Sequence, residues 1–322
     1  MKINVAVLRG GPSSEYALSL KTGAEYLRSL PEDQYTVRDI FIDMEGVWHS
    51  RGIPTTPVQA LAQSDVVLNA LHGGMGEDGT VSRFLEQQGI AYAGSRAPAA
   101  ALAHNKIRAR EALRAADIMT PQGMPFALSD DIDTGTMAMQ VFETFAPPYV
   151  VKPVSEGHST GVRYVATIRD LPDAIGDVLD AYGAALVEEY INGEQVHASV
   201  LENFRNQDVY VFPIAQQNIP KQSRVLLPSH YSENSIEHVV PTKFTHDNKS
   251  EMENIARQVH AVLGMQHMSQ VDMIKSPRGV YVLEADSVPA LHSASATPKM
   301  LESVGVSVSD YAQHLIKLAM NV

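Results

Sequence analysis

The sequence predicts a protein of mixed α/β and α+β class, with an open α/β domain first and antiparallel hairpins after it. Near the N-terminus, an apolar run at residues 3–8 leads through a glycine loop into a helical stretch, which is the order found in open α/β sheets. Near the C-terminus, residues 269–274 and 280–285 are rich in β-branched and apolar side chains. A short turn joins these two runs, as in a hairpin.

The first third of the chain supplies alternating strands and helices. Apolar runs predict strands at residues 3–8, 35–42, 65–71 and 90–92, and helical periodicity predicts helices at 15–30 and 80–88. The loop at residues 9–14 has adjacent glycines and lacks the spacing G-x-G-x-x-G, so we do not expect a dinucleotide site there. A second glycine loop, at residues 72–79, indicates either close backbone approach or a tight turn.

The rest of the chain mixes hairpins with single helices. Helices are predicted at residues 105–115, 136–145, 169–182, 248–263 and 306–320. Further strands are predicted at residues 123–128, 149–153, 162–166, 185–191, 195–201 and 208–212. Residues 213–241 have polar breaks and no clear period, so we predict a long loop, which in a compact domain is usually a lid or a disordered segment.

Length, charge and cysteine content narrow the class of protein. The chain has 322 residues, enough for two or three domains. Its formal net charge of −12 argues against a nucleic-acid-binding protein, which needs a basic surface. The absence of cysteine excludes disulfides and thiolate chemistry. With no signal-peptide pattern and no apolar run of about 20 residues, we expect a cytoplasmic protein that does not contact a membrane.

The C-terminal hairpin gathers three carboxylates. A three-residue Pro-Arg-Gly turn would place Ser276 opposite Val280 and Asp272 opposite Glu284. Asp286 follows two residues after Glu284 and therefore points to the same face. Like charges this close need a cation, and oxygen ligands on rigid strands suit Mg²⁺. The alternative interpretation is a solvated acidic face.

A second hairpin carries a flexible tip. Its first strand ends at Lys152-Pro153, and residues 154–161 supply glycines and hydroxyl groups before the chain returns. Backbone N–H groups and hydroxyls in such a tip can bind phosphate, and a nearby lysine adds positive charge. The alternative is an ordinary mobile hairpin.

Four groups of residues occur in one order along the chain. They are Gly10-Gly11-Pro12-Ser13-Ser14-Glu15, Leu71-His72-Gly73 with Gly76-Glu77-Asp78-Gly79, Val151-Lys152-Pro153 with Gly157 and Gly161, and Leu283-Glu284-Ala285-Asp286 with Pro289 and Ser295. With these motifs the chain resembles the D-alanine–D-alanine ligases of the ATP-grasp superfamily over nearly its whole length. The resemblance implies an N-terminal α/β domain at residues 1–95, then two ATP-grasp subdomains at 96–183 and 184–322, with a lid at 213–241.

The resemblance also implies a two-step reaction. The carboxylate of one D-alanine attacks the γ-phosphate of ATP, which gives an acyl phosphate and ADP, and the amine of a second D-alanine then displaces phosphate. Because the attacking carboxylate and the phosphate are both negatively charged, the site needs cations to reduce their repulsion. The resemblance assigns Mg²⁺ or Mn²⁺ to Asp272, Glu284 and Asp286. Closure of the lid would keep water from the acyl phosphate.

Site residues follow from the resemblance position by position. The nucleotide site comprises Lys106, Lys152, Gly157, Ser159, Glu188, Tyr190, Ile191, Gln195 and His230. The amino-acid site comprises Glu15, His72, Ser293 and Ser295, and the residues implied to act in catalysis are Glu15, His158, Tyr231, Gln270 and Ser295. By residue type alone, Glu15 could instead be a first-turn helix acid, and His72 an ordinary loop histidine.

Several positions depart from the family pattern. Gln270 stands where the family usually has an arginine that stabilises the anionic transition state, so a positive charge and a bidentate fork are absent. His158 replaces a serine of the phosphate loop, Ala290 replaces a glycine, and His230-Tyr231 replaces a Lys-Tyr pair of the lid. We therefore hypothesise that protonated His230 replaces the lid lysine and that activity rises toward mildly acidic pH.

Three functions remain open from the sequence. The first is a D-alanine–D-alanine ligase of peptidoglycan precursor synthesis, which the resemblance implies to be a homodimer through its N-terminal domain. The second is an ATP-grasp ligase for a different amino or hydroxy acid, which the departures at Gln270, His158 and Ala290 motivate. The third is a nucleotide-binding homologue with little ligase activity, although a pure binding protein has less need of three carboxylates.

Overall fold

The computed structural model describes residues 2–220, 222–232 and 235–321, with the backbone alone at 231 and 232. Three β-sheets follow one another along the chain, of six, four and six strands. Among the described residues, no helix is long and apolar enough to cross a membrane.

The first sheet is an open α/β sheet. Its strands are β1 (Ile3–Gly10), β2 (Tyr35–Ile42), β3 (Trp48–Ser50), β4 (Ile53–Thr55), β5 (Val66–Asn69) and β6 (Ala91–Ala93), in the order β4-β3-β2-β1-β5-β6. The pairs of β1 with β2, β1 with β5 and β5 with β6 are parallel. Because the central strands are covered on both faces, β1 and β5 are continuous apolar runs rather than alternating ones.

Helices connect these strands: α1 (Tyr16–Ser29), α2 (Pro57–Leu61) and α3 (Thr80–Gln88). Glycines in the left-handed conformation, Gly79 and Gly89, flank α3 and set its limits. The loop after β1 turns sharply at Gly10, where φ is +95° and a Cβ atom would lie 2.0 Å from the carbonyl oxygen of Ile42. Only glycine fits this position, and the turn directs Glu15 to the carboxyl ends of the parallel strands.

The second sheet is antiparallel and small. After α4 (Ala97–His104) and α5 (Lys106–Ala115), it combines β7 (Gly123–Ala127), β8 (Tyr149–Pro153), β9 (Arg163–Val165) and β10 (Ala184–Glu189) in the order β7-β10-β8-β9. Helices α6 (Thr134–Thr144) and α7 (Leu171–Tyr182) pack on it around a core that includes Val141, Ile175 and Val187. The domain boundary predicted at 183–184 separates β10 from the sheet in which it pairs, so a boundary after Glu189 suits the structure better.

The third sheet is formed by the C-terminal part of the chain. Its strands are β11 (Glu194–Phe204), β12 (Gln207–Val211), β13 (Ala215–Asn218), β14 (Glu237–Val239), β15 (Met268–Ser276) and β16 (Gly279–Asp286), in the order β14-β13-β11-β15-β16 with β12 paired to β11. The helices of this part are α8 (Pro228–Ser232), α9 (His246–Val262), α10 (Ala296–Ser303) and α11 (Val308–Met320). Helix α11 packs against α1, β5 and β6 of the first sheet, so one apolar core joins the two ends of the chain.

The hairpin of β15 and β16 confirms one predicted register and corrects another. Ser276 pairs with Gly279, not Val280, because the turn has two residues rather than three. A β-bulge then inserts Leu283 between the pairs Met273–Val282 and Asp272–Glu284. The extra residue offsets the shorter turn, so Asp272 lies opposite Glu284 as the sequence predicts.

The prediction of an unstructured loop at residues 213–241 is wrong in part. Strands β13 and β14 and the short helix α8 lie within it. Strand β13 pairs with the long strand β11, and β14 pairs with β13. Strands of three or four residues leave too short a pattern for alternation to be recognised, and the same limit explains why β3, β4 and α2 were not predicted. Helices α4 and α10, of eight residues each, were also missed.

Candidate active site

Two adjoining cavities contain most of the predicted site residues. A cleft of about 800 Å³ lies between the second and third sheets. A smaller cavity of about 90 Å³ is bounded by the loops of the first sheet and the end of β16. Lys106, Asp272 and Glu284 line both cavities, so this charged wall is where groups bound in the two spaces would meet.

The larger cleft, called the nucleotide cleft below, combines an apolar slot with polar ends. Tyr190, Ile191 and Gln195, which the sequence assigns to a nucleotide site, line it. Ile191 packs with Ile274, and the bulged Leu283 packs against them. Apolar side chains that face one another across two sheets can enclose a planar nucleotide base, and polar groups at the ends of the slot can orient that base.

Glu188 is held in a buried group of three charges. Its carboxylate contacts Lys152 Nζ at 2.8 Å through Oε2, and Arg110 through Oε1, and its side chain is only 3% exposed. Arg110 also donates to the carbonyl oxygen of Pro121. The residue lines the cleft, but its charge is neutralised within the protein. In this structure Glu188 therefore serves mainly as the ion-pair partner that orients Lys152, and the predicted contact with adenine is a secondary role.

The carboxylate cluster lies at the end of the hairpin. Lys106 Nζ contacts Glu284 Oε2 at 3.0 Å and donates to the carbonyl oxygen of Glu156 at 2.6 Å. Burial would raise the pKa of Glu284, but Lys106 and Lys152 lower it below its usual value. Burial, together with the negative charges of Glu284 and Asp272, raises the pKa of Asp286 well above its usual value.

This donor set fits a divalent cation. Asp272, Glu284 and Asp286 supply carboxylate oxygens from two rigid strands, which is the chemistry that Mg²⁺ prefers. Lys106 contacts only Glu284 of the three, and the raised pKa of Asp286 reports negative charge that this lysine does not compensate. A cation there would remove the repulsion.

The smaller cavity, called the substrate cavity below, holds buried acids beside neutral histidines. Glu15 is the residue before α1, and its carboxylate turns into the cavity rather than capping the helix. Burial, followed by the charges of Glu77 and Glu284, raises the pKa of Glu15 to about 8. Ligand atoms of Glu15, His72 and Glu77 lie within 4.8 Å of one another. Two acids in this position favour a cationic guest such as an ammonium group.

Three histidines that line the substrate cavity, His72, His158 and His292, are uncharged near neutral pH. Burial, then the neighbouring His158, lowers the pKa of His72 to about 3, and its Nε2 lies 2.8 Å from Thr22 Oγ1. Burial, then His292, lowers the pKa of His158 to about 4, and burial with Lys21 does the same to His292. His158 Nδ1 is 3.8 Å from Glu15 Oε2. The surroundings of His158 therefore do not favour its positively charged form.

The tip of the second hairpin closes onto the substrate cavity. Gly157 approaches Glu15 so closely that a Cβ atom would lie 2.5 Å from its Oε1. Ser159 lines both cavities. Ser14 Oγ donates to Glu156 at 2.7 Å, which links the loop after β1 to the tip. The tip residues thus lie over the junction of the two spaces.

Gln270 and Ser295 are brought to the substrate cavity with their polar groups engaged. Gln270 Nε2 donates to Asp272 Oδ1 at 2.9 Å and its Oε1 accepts from Thr297 at 3.1 Å. Ser295 Oγ lies 2.8 Å from the carbonyl oxygen of Ala290 and 2.7 Å from that of His292. Gln270 therefore orients the cluster, while Ser295 is held at the start of α10.

Two predicted residues, His230 and Ser293, line neither cavity, and the side chain of a third is not described. His230 is buried in α8, where its Nδ1 accepts from the backbone N–H of Leu227 at 3.1 Å and its Nε2 lies 3.0 Å from Ser223 Oγ. This hydrogen bond holds His230 within α8, so the geometry does not support the hypothesis that His230 is a replacement cation. Ser293 is exposed, and His292 faces the substrate cavity in its place. The side chain of Tyr231 lies outside the described residues.

Sequence reasoning missed four residues that the structure brings to this region. Arg224 of the 213–241 segment lines the nucleotide cleft, Arg110 holds Glu188, His292 lines the substrate cavity, and His197 contacts Asp272. Arg110 and His197 lie on the inward faces of predicted elements. A polar residue at such a position was the sequence feature that could have indicated a buried partner. Their partners are distant in sequence, so the pairing itself could not be read from it.

Comparison with known proteins identifies the family of this chain. The family described as D-ala D-ala ligase C-terminus matches residues 113–317. A D-alanine–D-alanine ligase of Carboxydothermus hydrogenoformans is 30% identical over 321 residues, covering 99% of this chain and 98% of that relative. The chain belongs to the D-alanine–D-alanine ligase family. Another family member, from Desulforudis audaxviator, is 30% identical over 317 residues and covers 98% of each chain.

Solved structures of this family share the fold. The VanG D-Ala:D-Ser ligase of Enterococcus faecalis superposes with a TM-score of 0.84 at 24% identity, over 99% of this chain and 100% of that one. The D-alanine–D-alanine ligase of Bacillus anthracis, solved in complex with ATP, gives a TM-score of 0.81 at 24% identity, over 99% and 98%. The predicted fold class, with its ATP-grasp part, is confirmed.

Proposed function

We propose that this protein joins two D-alanine molecules at the expense of ATP, through an acyl phosphate, in peptidoglycan precursor synthesis. The observation that carries the proposal is the shared wall of the two cavities. Lys106, Asp272 and Glu284 face both the nucleotide cleft and the substrate cavity. A phosphoryl group that passes from one space to the other would pass along this wall, and cationic groups there would offset its charge.

In the first step, the carboxylate oxygen of D-alanine attacks the γ-phosphorus of ATP. The bond from phosphorus to the β–γ bridging oxygen breaks, and ADP leaves. Lys152 and Lys106 offset negative charge on the phosphates, with Lys152 oriented by Glu188. The ammonium group of this D-alanine would pair with Glu15, whose pKa of about 8 in the empty cavity falls when a cation arrives.

In the second step, the amine of another D-alanine attacks the acyl carbonyl carbon. The bond from that carbon to the phosphate oxygen breaks, inorganic phosphate leaves, and the nitrogen gives up its extra proton. The volume of about 90 Å³ restricts the substrate cavity to small molecules. The tip at Gly157 and the 213–241 segment, proposed as a lid, would exclude water, which otherwise hydrolyses the acyl phosphate.

The carboxylates of Asp272, Glu284 and Asp286 would hold Mg²⁺ or Mn²⁺. Such an ion would supply positive charge that offsets the negative charge of the transferred phosphoryl group. The protein contributes the rigid strands β15 and β16 that keep the three carboxylates together.

The decisive test is phosphate release from ATP and Mg²⁺ in the presence of D-alanine, beside L-alanine, D-serine, D-lactate and no acceptor. Release that requires D-alanine, with the dipeptide detected by mass spectrometry, is expected. Release that is the same without an acceptor, or absent although ATP binds, would contradict ligase activity and favour a nucleotide-binding homologue.

A ligase with a different acceptor is the second candidate. Gln270 supplies no positive charge, and its amide is bonded to Asp272 and Thr297, so stabilisation of the tetrahedral intermediate differs from the family pattern. In the same acceptor series, phosphate release with D-alanine at less than one-tenth of that with another acceptor would favour this candidate.

We also propose that the protein is a cytoplasmic homodimer. Met44, Ile53 and Val58 are 62%, 67% and 56% exposed on or beside the edge strand β4 and its neighbour β3, and exposed apolar side chains in one region are typical of association surfaces. Sedimentation at micromolar concentration should give twice the chain mass of 35.1 kDa. A charged substitution at Ile53 should yield monomers, and a monomeric wild type would contradict the proposal.

A further inference from the structure

His197 connects the proposed metal site with the nucleotide cleft. It lies on β11 directly opposite Asp272 of β15, and its side chain is 8% exposed. Its Nδ1 lies 2.6 Å from Asp272 Oδ1, and its Nε2 lies 2.8 Å from Gln217 Oε1. Both ring nitrogens are therefore engaged by oxygen atoms of side chains far away in sequence.

Asp272 is fixed through one of its two oxygens. Its Oδ1 accepts from His197 at 2.6 Å and from Gln270 at 2.9 Å. Two donors aimed at one oxygen prevent rotation of the carboxylate and turn Oδ2 away from them. Hydrogen bonds of this kind orient metal ligands, and their loss typically weakens metal binding by about 10–100-fold.

The contact chain continues into the nucleotide cleft. Gln217 Nε2 donates to Gln195 Oε1 at 2.9 Å, and both side chains line the cleft. Because Gln217 uses its nitrogen toward Gln195, its oxygen faces His197. The series Gln195, Gln217, His197, Asp272 thus runs from the nucleotide wall to the carboxylate cluster without a gap.

We propose that His197 is a positioning residue that orients Asp272 toward the metal ion and ties it to the nucleotide wall through Gln217. The inference rests on the proposed role of Asp272 as a metal ligand. His197 acts through Asp272 Oδ1, so the bond from Nδ1 contributes to metal affinity, whereas the bond from Nε2 contributes to the link with the nucleotide wall.

Two substitutions separate these bonds. The amide nitrogen of asparagine occupies the place of histidine Nδ1, so His197→Asn keeps the donor to Asp272 and loses the contact with Gln217. The amide nitrogen of glutamine occupies the place of Nε2, so His197→Gln keeps Gln217 and loses Asp272. Binding of Mn²⁺ in the presence of a non-hydrolysable ATP analogue, followed by electron paramagnetic resonance, needs no turnover. We expect His197→Gln to weaken Mn²⁺ binding about 10–100-fold, and His197→Asn to stay within about threefold of wild type.

His260→Gln is the matched control. His260 is also buried and also makes two hydrogen bonds, to Ser269 at 2.8 Å and to Glu202 at 3.3 Å, but it lines neither cavity among the described residues. The substitution His260→Gln should therefore leave Mn²⁺ binding unchanged. Wild-type Mn²⁺ affinity in His197→Gln, or equal losses in His197→Asn and His197→Gln, would overturn the inference.

Failure of the inference and failure of the proposed function give different results. Asp272→Asn serves as the reference, and unchanged Mn²⁺ binding in it would overturn both the metal site and the role of His197. If instead Mn²⁺ binding separates the two His197 variants but no dipeptide forms from D-alanine, the positioning role holds and the proposed substrate is wrong.

Discussion

Neutralising Glu188 should destabilise the protein far more than neutralising its neighbour Glu189. Glu188 lies between two cations that are themselves buried, with Lys152 and Arg110 side chains 8% and 6% exposed. The substitution Glu188→Gln keeps the volume of the side chain, so it creates no cavity. It leaves two positive charges facing one neutral amide, on side chains that are almost completely buried.

The magnitude follows from burial. Removing one partner of a buried ion pair costs about 3–5 kcal/mol, because the remaining charge has lost both water and counter-charge. In Glu189→Gln the lost contact is the 3.0 Å pair with Arg278, whose side chain is 56% exposed, and such surface pairs contribute about 0–1 kcal/mol. The two variants therefore differ by roughly 3 kcal/mol. A loss of 3–5 kcal/mol lowers a thermal unfolding midpoint by the order of 10 °C in a protein of this size class.

Thermal unfolding of wild type, Glu188→Gln and Glu189→Gln without nucleotide measures this difference directly. The KM for ATP, measured on the same samples, separates the two roles considered for Glu188. If Glu188 serves mainly to contact adenine, Glu188→Gln will raise the KM for ATP and unfold within about 2 °C of Glu189→Gln. That result would refute the reasoning from buried charge.

Three further predictions concern the site. Lys106→Met removes the cation at the shared wall and should lower kcat by about 10²–10³ in steady-state phosphate release, assayed well below the thermal midpoint of the variant because loss of a buried ion-pair partner also destabilises the fold. Burial raises the pKa of Glu15 to about 8. Between the ordinary pKa of a glutamate and pH 8, the folded state therefore binds more protons than the unfolded state, and the stability of the wild type falls as pH rises. Measured without substrates, the thermal stability of Glu15→Gln relative to wild type should increase progressively from pH 5 to pH 8, and a constant difference would contradict the raised pKa of Glu15. Arg224→Met should raise the KM for ATP about tenfold, since Arg224 rather than His230 lines the nucleotide cleft, whereas His230→Asn should leave that KM unchanged.

Local sequence patterns predicted much of the fold and of the site. The strand Tyr35–Ile42 and the helix Thr80–Gln88 are confirmed at both ends, because period and flanking glycines act locally. The facing of Asp272 and Glu284 is also confirmed, although by a shorter turn together with a bulge. The alternation of side chains along a strand determines which of them share a face. The shorter turn and the bulge shift the register by equal amounts in opposite directions, so the two carboxylates still face each other.

The roles of individual polar groups needed the tertiary structure. His230 and His292 are of one residue type in loop-like segments, yet one is buried in α8 and the other faces the substrate cavity. Arg110 lies 78 residues from Glu188, and His197 lies 75 residues from Asp272.

By itself the sequence determined the fold class, the order of the motifs and the residues that share the carboxylate face, since these follow from local periodicity and spacing. Only the tertiary structure decided which charges neutralise one another, which histidines are uncharged and which oxygen of Asp272 is held in place. Those properties depend on burial and on contacts between distant segments, because the cost of a charge is set by the atoms that replace water around it.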